Sequence, residues 1–368
     1  MARKAEPAVV RVAHGEVAYE VRIGPGLLRS LGEAVRAAGV GPRVTIITDE
    51  HVAPRHGQAA IESVRAAGLE AHCITIPAGE RSKSLEQAAR IYDELAARGV
   101  DRADALVALG GGVVGDLAGF VAATWHRGVP LFNCPTTTEA AVDAAVGGKC
   151  GLNLPAGKNL VGTFHPPRAI LIDVDTFATL PERDFRSGLA ESVKHGLIRD
   201  AALLDWHEAN GAALMERDTH ALVELVRRNV EIKAAVVAGD PFDTGGPDGI
   251  GRAALNFGHT VGHALEAAVG FELRHGECVG LGILAALRVG AARGITPGEF
   301  VPRVEGVLRA LGLPTVVPRA LDTEAIWSFI LRDKKARGGR PRFLLLAGPG
   351  RLVWAEDVRA EEVRRGVA

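Results

Sequence analysis

The pattern of apolar and polar positions changes character near residue 180. Before that point, short apolar runs alternate with longer stretches of helical spacing. Val44-Thr45-Ile46-Ile47-Thr48 is a β-branched run ending at Asp49, the composition of a buried strand. Helical spacing follows from Gln58 to Ala67. Ala71 to Ile76 predicts a second strand, closed by Pro77. Ser84 with Gln87 three residues later predicts a capping box and a helix reaching Arg98, with Gly99 as its stop. Ala105–Leu109 and Val129–Cys134 predict two further strands. Strands separated by helices imply parallel βαβ units. Ahead of them, Ala8–Val12 and Val17–Ile23 alternate and predict a hairpin.

Beyond Leu180 the spacing becomes helical almost throughout. Pro181–Arg199, Thr219–Ala238, Ala253–Val269, Val279–Ala292 and Gly298–Leu311 each predict a helix. Strands return at Arg342–Leu346 and Leu352–Trp354, around a Gly348-Pro349-Gly350 turn. The expected architecture has two parts. Residues 1–180 form an α/β nucleotide-binding domain with a parallel sheet, and residues 181–368 a mainly helical metal- and substrate-binding domain.

Composition narrows the function classes. The chain has 368 residues, with 43 Lys+Arg against 44 Asp+Glu, a net charge of -1. A broadly basic nucleic-acid binder is excluded. So is a disordered chain, because 47% of the residues are hydrophobic. No apolar run is long enough for a membrane span, and Met1–Pro7 is polar with no signal-peptide pattern after it. Cys73, Cys134, Cys150 and Cys278 are scattered, without a CxxC pair. A cytoplasmic protein with reduced thiols is expected.

Three stretches carry candidate chemistry. Gly110, Gly112 and Gly115 satisfy GxGxxG after a strand and before a helix, a setting that brings backbone N–H groups close to a pyrophosphate. The motif follows the third strand of the alternating series, and no acidic residue ends the next one, so it departs from an ordinary dinucleotide fingerprint. A purely structural turn stays open. Asp49 and Gly79-Glu80-Arg81-Ser82-Lys83, each after a strand, are candidate nucleotide contacts or solvated loops. Asp143–Gly162 places Lys149 and Lys158 beside glycines, which suits a phosphate or carboxylate, or a surface hairpin. His259 and His263 stand at i and i+4, a spacing that puts two imidazoles on one helix face. His275 lies further on, and Glu191 is a candidate carboxylate. Nitrogen and oxygen donors without thiolate suit Zn²⁺. Glycine is over-used at 45 residues, concentrated in Gly110–Gly162 and Gly239–Gly282. The expectation is that it lets backbone approach cofactor, anion and metal.

Together the motifs GGGVVGDLAGFVAAT, PTT, VDAAVGGK, PAGKNLVG, GLAESVKHG, LNFGHTVGHALE, HGE and RDKK resemble those of the 3-dehydroquinate synthases, within the wider sugar phosphate cyclases. The similarity runs from about Val10 to Val353. It implies a dehydroquinate synthase-like fold, NAD, and Zn²⁺ or Co²⁺. The family's metal ligands match Glu191, His259 and His275. His263 matches a substrate-binding histidine instead, which overrides the pairing that spacing alone suggests. Lys149, Lys194, Arg252, Asn256 and His263 match the residues at the reacting part of the substrate. Arg127, Asp143, Lys158, Asn159 and one of Lys334 and Lys335 match its other contacts. Arg127 matches an arginine that reaches a neighbouring subunit's phosphate site, which implies a homodimer. Cofactor positions match Asp49, Glu80, Lys83, the turn Gly110, Gly111, Gly112 and Gly115, Asp116, Thr136, Thr137 and Thr179.

The implied reaction turns 3-deoxy-D-arabino-heptulosonate 7-phosphate into 3-dehydroquinate and phosphate. It runs through transient oxidation by NAD⁺, phosphate elimination, reduction, ring opening and an intramolecular aldol closure. Nucleic acid and membrane are not expected partners. Thr138-Glu139, Cys150, Ser192, His195 and the glycine-rich Phe242–Gly251 depart from the usual pattern. Another cyclase, such as an aminodehydroquinate synthase, therefore stays open as an alternative, as does a metal-dependent alcohol dehydrogenase.

Overall fold

A computed structural model describes residues 7–270, 272–317, 323–332 and 341–367. The chain divides into two compact units. One comprises Met1–Leu180 with Leu222–Phe242, the other Pro181–Ala221 with Asp243–Ala368. This differs from a single division at residue 180. Most of the helix Thr219–Gly239 belongs with the first unit. The Lys233 ammonium on it is bound to the carboxylate and carbonyl of Asp143. Just beyond it, Phe242 meets the rings of His14 and Phe164 edge-on, at 5.4 and 5.7 Å.

The first unit is built on a seven-stranded sheet. Its strands are β1 (Ala8–His14), β2 (Val17–Gly24), β3 (Arg43–Asp49), β4 (Glu70–Ile76), β5 (Ala105–Gly110), β6 (Leu131–Pro135) and, after a separate hairpin, β9 (Ala169–Asp173). The order across the sheet is β1-β2-β9-β6-β5-β3-β4. Only β1 and β2 pair antiparallel, with His14 opposite Val17 across a two-residue turn. The rest pair parallel. The expected hairpin and the βαβ series are therefore both present. β9 was not anticipated; it inserts between β2 and β6, a placement that only long-range pairing decides.

β5 is buried along its whole length. Leu106 and Ala108 face one apolar layer with Ile47, Ile91 and Leu117. Ala105, Val107 and Leu109 face another with Ile46, Val64 and Phe132. A central parallel strand covered on both faces needs this continuous apolar run. Ser84 Oγ accepts from Gln87 N at 3.2 Å and opens the helix Leu85–Ala97 as expected. The reciprocal half of that box is missing, since buried Gln87 Oε1 finds no partner among the described residues. The lysine-rich segment folds as a hairpin of β7 (Lys149–Leu154) and β8 (Gly157–Phe164).

The second unit is helical, with one hairpin of β10 (Phe343–Gly348) and β11 (Arg351–Ala355). Its apolar core joins Val261, Leu265, Cys278, Leu281, Ile326 and Leu345. The expected helix Ala253–Val269 is broken in two. A 3-10 turn spans Gly251–Asn256, and the helix proper is His259–Ala268. Gly258 between them has φ 80. A Cβ there would stand 2.6 Å from Ile283 Cγ1. Among the described residues no helix is long and apolar enough to cross a membrane.

Candidate functional site

In the second unit three helices bring the proposed donors together. Glu191 and Lys194 lie on Glu182–Ile198, His259 and His263 on His259–Ala268, and His275 opens His275–Ala292. Their approach depends on absent side chains. A Cβ on Gly276 would sit 1.8 Å from Ser187 O, and one on Gly282 would sit 2.1 Å from Gly258 O. At these positions the glycine excess serves helix-on-helix packing. The expectation that it serves approach to ligand is corrected here. Arg183 donates to both oxygens of Glu277 at 2.7 Å, and Glu277 in turn accepts from Arg274 N at 2.8 Å. That fork ties the start of the His275 helix to the Glu191 helix.

Glu191 is buried, and one of its oxygens lies 3.4 Å from Nε2 of His259 and 3.4 Å from Nε2 of His275. Its other oxygen accepts from the fully buried Lys194. Burial opposes ionisation of Glu191, but Lys194 and His259 pull its carboxyl well below the ordinary carboxylate range. Burial pushes His259 below the ordinary imidazole value, against the pull of Glu191, which favours a neutral ring with a lone pair to give. Nitrogens of His259, His263 and His275 also lie within 4.8 Å of one another. One carboxylate and three imidazoles around one point make a donor set that suits Zn²⁺ or Co²⁺. The structure gathers all four side chains that sequence pointed to. Arg252 is also buried, on the 3-10 turn that ends at half-buried Asn256.

In the first unit the glycine turn closes β5 and opens the helix Gly112–Thr124. Gly110 has no room for a Cβ, which would lie 2.6 Å from Val114 Cγ2. The turn lines a hollow of about 390 Å³, part of it open to solvent. Gly110, Gly111, Gly112, Gly115, Asp116 and Lys149 contribute to its wall. Asp116 meets Lys83 at 2.5 Å. Burial raises the Asp116 carboxyl above its ordinary value, and Lys83 opposes the rise.

The other expected cofactor residues are not in that wall. Asp49 Oδ1 accepts from His51 N and Val52 N at 2.8 and 3.0 Å, in a tight turn after β3. Glu80 accepts from Asn153 Nδ2 at 2.7 Å. Thr137 Oγ1 accepts from Ala140 N at 3.2 Å. Thr179 Oγ1 lies 2.8 Å from His56 Nε2. The buried Thr136 hydroxyl has no protein partner among the described residues, as suits a ligand contact.

The residues expected to bind anions lie on turns and strands. Lys149, Lys158 and Asn159 are exposed on the β7–β8 hairpin, with Asn159 at φ 54. Arg127 is exposed at φ 67. Lys334 and Lys335 lie outside the described residues. Sequence reasoning passed over Asn133, Cys150 and His165 as parts of the hollow, and Lys233 as the partner of Asp143. Asn133 had a signal: a polar residue inside a strand whose every position is buried. Burial pushes the Cys150 thiol up to about 12, so it faces the hollow uncharged.

Comparison with known proteins fits this geometry. The 3-dehydroquinate synthase N-terminal domain profile matches residues 73–187, and the C-terminal domain profile matches residues 188–336. A 3-dehydroquinate synthase of Caulobacter vibrioides is 46% identical over 356 residues, 95% of each chain. One of Symbiobacterium thermophilum is 45% identical, covering 96% of this chain and 98% of its own. Among solved structures, a 2-epi-5-epi-valiolone synthase from Streptomyces hygroscopicus subsp. jinggangensis, with NAD⁺ and Zn²⁺ bound, superposes with a TM-score of 0.85. It is 31% identical and covers 96% of this chain and 97% of its own. A 2-deoxy-scyllo-inosose synthase complexed with carbaglucose-6-phosphate, NAD⁺ and Co²⁺ gives a TM-score of 0.87 at 25% identity, with 98% and 99% coverage.

Proposed function

The chain belongs to the 3-dehydroquinate synthase family, and from that premise we propose that it converts 3-deoxy-D-arabino-heptulosonate 7-phosphate into 3-dehydroquinate and phosphate. One observation carries the chemistry. A single oxygen of buried Glu191 faces Nε2 of both His259 and His275. We assign these three as ligands of Zn²⁺ or Co²⁺, and the glycine turn with Asp49, Glu80, Lys83, Asp116, Thr136, Thr137 and Thr179 as the NAD site. When bound, the metal supplies a Lewis acid toward substrate oxygens and NAD⁺ supplies a recyclable hydride acceptor.

The chain's own residues do the rest. Arg252 and Asn256 orient the acidic substrate, where a rigid guanidinium fork suits a carboxylate. Lys149 opposes negative charge as it develops on a substrate oxygen. Lys194 keeps Glu191 ionised, and His263 contacts substrate beside the metal ligands. Asp143, Lys158 and Asn159 hold the remaining polar groups. Arg127, on its left-handed turn, is assigned to the phosphate site of a second copy, which makes the enzyme a homodimer. A cytoplasmic setting is supported by four cysteines that are all thiols.

The purified protein, supplied with heptulosonate 7-phosphate, NAD⁺ and Zn²⁺, is expected to release phosphate and form dehydroquinate without net NADH. Turnover of an amino-substituted or another sugar phosphate in preference would reassign the substrate. NADH building up with turnover would make it a dehydrogenase.

A further inference from the structure

We propose that Glu266 is a positioning residue for the metal site, holding His275 in the tautomer that offers Nε2 to the ion. The proposal rests on the reading of Glu191, His259 and His275 as ligands. His275 Nε2 faces Glu191 Oε1 at 3.4 Å, while its Nδ1 faces Glu266 Oε2 at 3.4 Å. When Nε2 gives its lone pair to an ion held with Glu191, the ring proton must sit on Nδ1, where the Glu266 carboxylate is placed to accept it.

His259 reaches the same tautomer by another route. Its Nδ1 lies 3.2 Å from the carbonyl oxygen of Phe257, and its Nε2 lies 3.4 Å from Glu191 Oε1. The two acceptors differ in charge, and the two rings differ in exposure. The His259 side chain is 9% exposed and that of His275 28%. Water competes for the ring nitrogen of the more exposed imidazole. A charged acceptor resists that competition better than a carbonyl and makes the far nitrogen a stronger donor.

Glu266 is itself only 12% exposed. It stands seven residues after His259 on the helix His259–Ala268, so the two share a face. The acceptor thus belongs to the helix of one ligand and acts on the ligand that opens the next helix.

The test uses the full chain, stripped of metal and reloaded. Zn²⁺ affinity is read by competition with a chromophoric chelator, and ligand geometry by the visible spectrum of the Co²⁺ form. Melting of the metal-free protein reports the fold. Glu266→Ala is expected to weaken Zn²⁺ binding by about 10- to 100-fold and shift the Co²⁺ bands, with metal-free melting unchanged. Glu266→Gln keeps an oxygen that can accept, and is expected to lose less. Wild-type affinity and spectrum in both variants would overturn the proposal. So would a loss in Glu266→Ala that merely tracks a lower melting temperature while Glu266→Gln binds normally. His259→Ala separates the two readings. If it loses metal while the Glu266 variants do not, only the role of Glu266 fails. If it binds metal as wild type does, the ligand assignment fails and the role of Glu266 with it.

Discussion

In the first unit, the turn from Gly110 to Asp116 is contiguous in sequence and is made by one strand running into one helix. In the second, Glu191, His259 and His275 come from three different helices. The turn is a backbone device, so its side chains are mostly hydrogen. The histidine cluster is a packing device, so it depends on how closely helix backbones approach. Charge is handled differently too. In the first unit, Lys83 is bound to Asp116 and Lys233 to Asp143, two carboxylates for two lysines. In the second, one buried carboxylate serves Lys194, His259 and His275 at once. Such a shared group is costly to leave uncompensated.

The sharpest break should come from the shared carboxylate's partners. His259→Ala is expected to abolish metal binding and turnover together, measured by metal analysis and phosphate release. Lys149→Ala, on the first unit's hairpin, is expected to keep the metal and lose about 10²- to 10³-fold in kcat. Equal metal loss in both variants would contradict the assigned roles.

Glycine replacement separates the regions next. Gly258→Ala puts a Cβ 2.6 Å from Ile283 at φ 80, and is expected to destabilise the metal-free protein by about 1–3 kcal/mol in chemical unfolding. Gly115→Ala meets nothing within 4 Å. Because alanine favours a helix by about 0.5–1 kcal/mol over glycine, stability should hold or rise slightly. NAD⁺ affinity should fall instead, because Gly115 lines the hollow. A destabilised Gly115→Ala protein with unchanged NAD⁺ affinity would reverse the comparison.

The smallest effect concerns an ion pair away from both sites. Arg293 grips Glu362 at 2.7 Å and lowers its carboxyl from 4.5 to about 2. A depressed folded value means that the contribution to stability is complete above about 4.5 and is lost as pH falls towards 2. Glu362→Gln should therefore melt below wild type at neutral pH and match it in acid. A difference as large at pH 2 as at neutral pH would show that packing, and not charge, is involved.

Much of the first unit was legible because its signals are local. β3 and β4 are β-branched runs with clear stops, and Ser84 caps its helix as its spacing suggested. β9 was not legible, because Ala169–Asp173 is a short run whose strand pairing lies between distant neighbours. The break at Phe257–Gly258 was also hidden. Helical spacing continues through it, and the glycine is explained by its left-handed backbone and by Ile283 on another helix.

Sequence by itself determined much of the succession of strands and helices, though not β9, the helix Ala201–Met215 or the break before His259, together with the glycine turn and the inventory of donor side chains. These follow from backbone preference and from periodicity over neighbouring residues. Tertiary structure decided which donors meet. Spacing paired His259 with His263 along one helix, while Glu191 carried no spacing signal at all. Packing places Glu191 Oε1 against Nε2 of His259 and of His275. The reason is steric. The start of the His275 helix reaches the Glu191 helix because Gly276 leaves room for the Ser187 carbonyl, and a contact between distant segments has no periodicity to announce it.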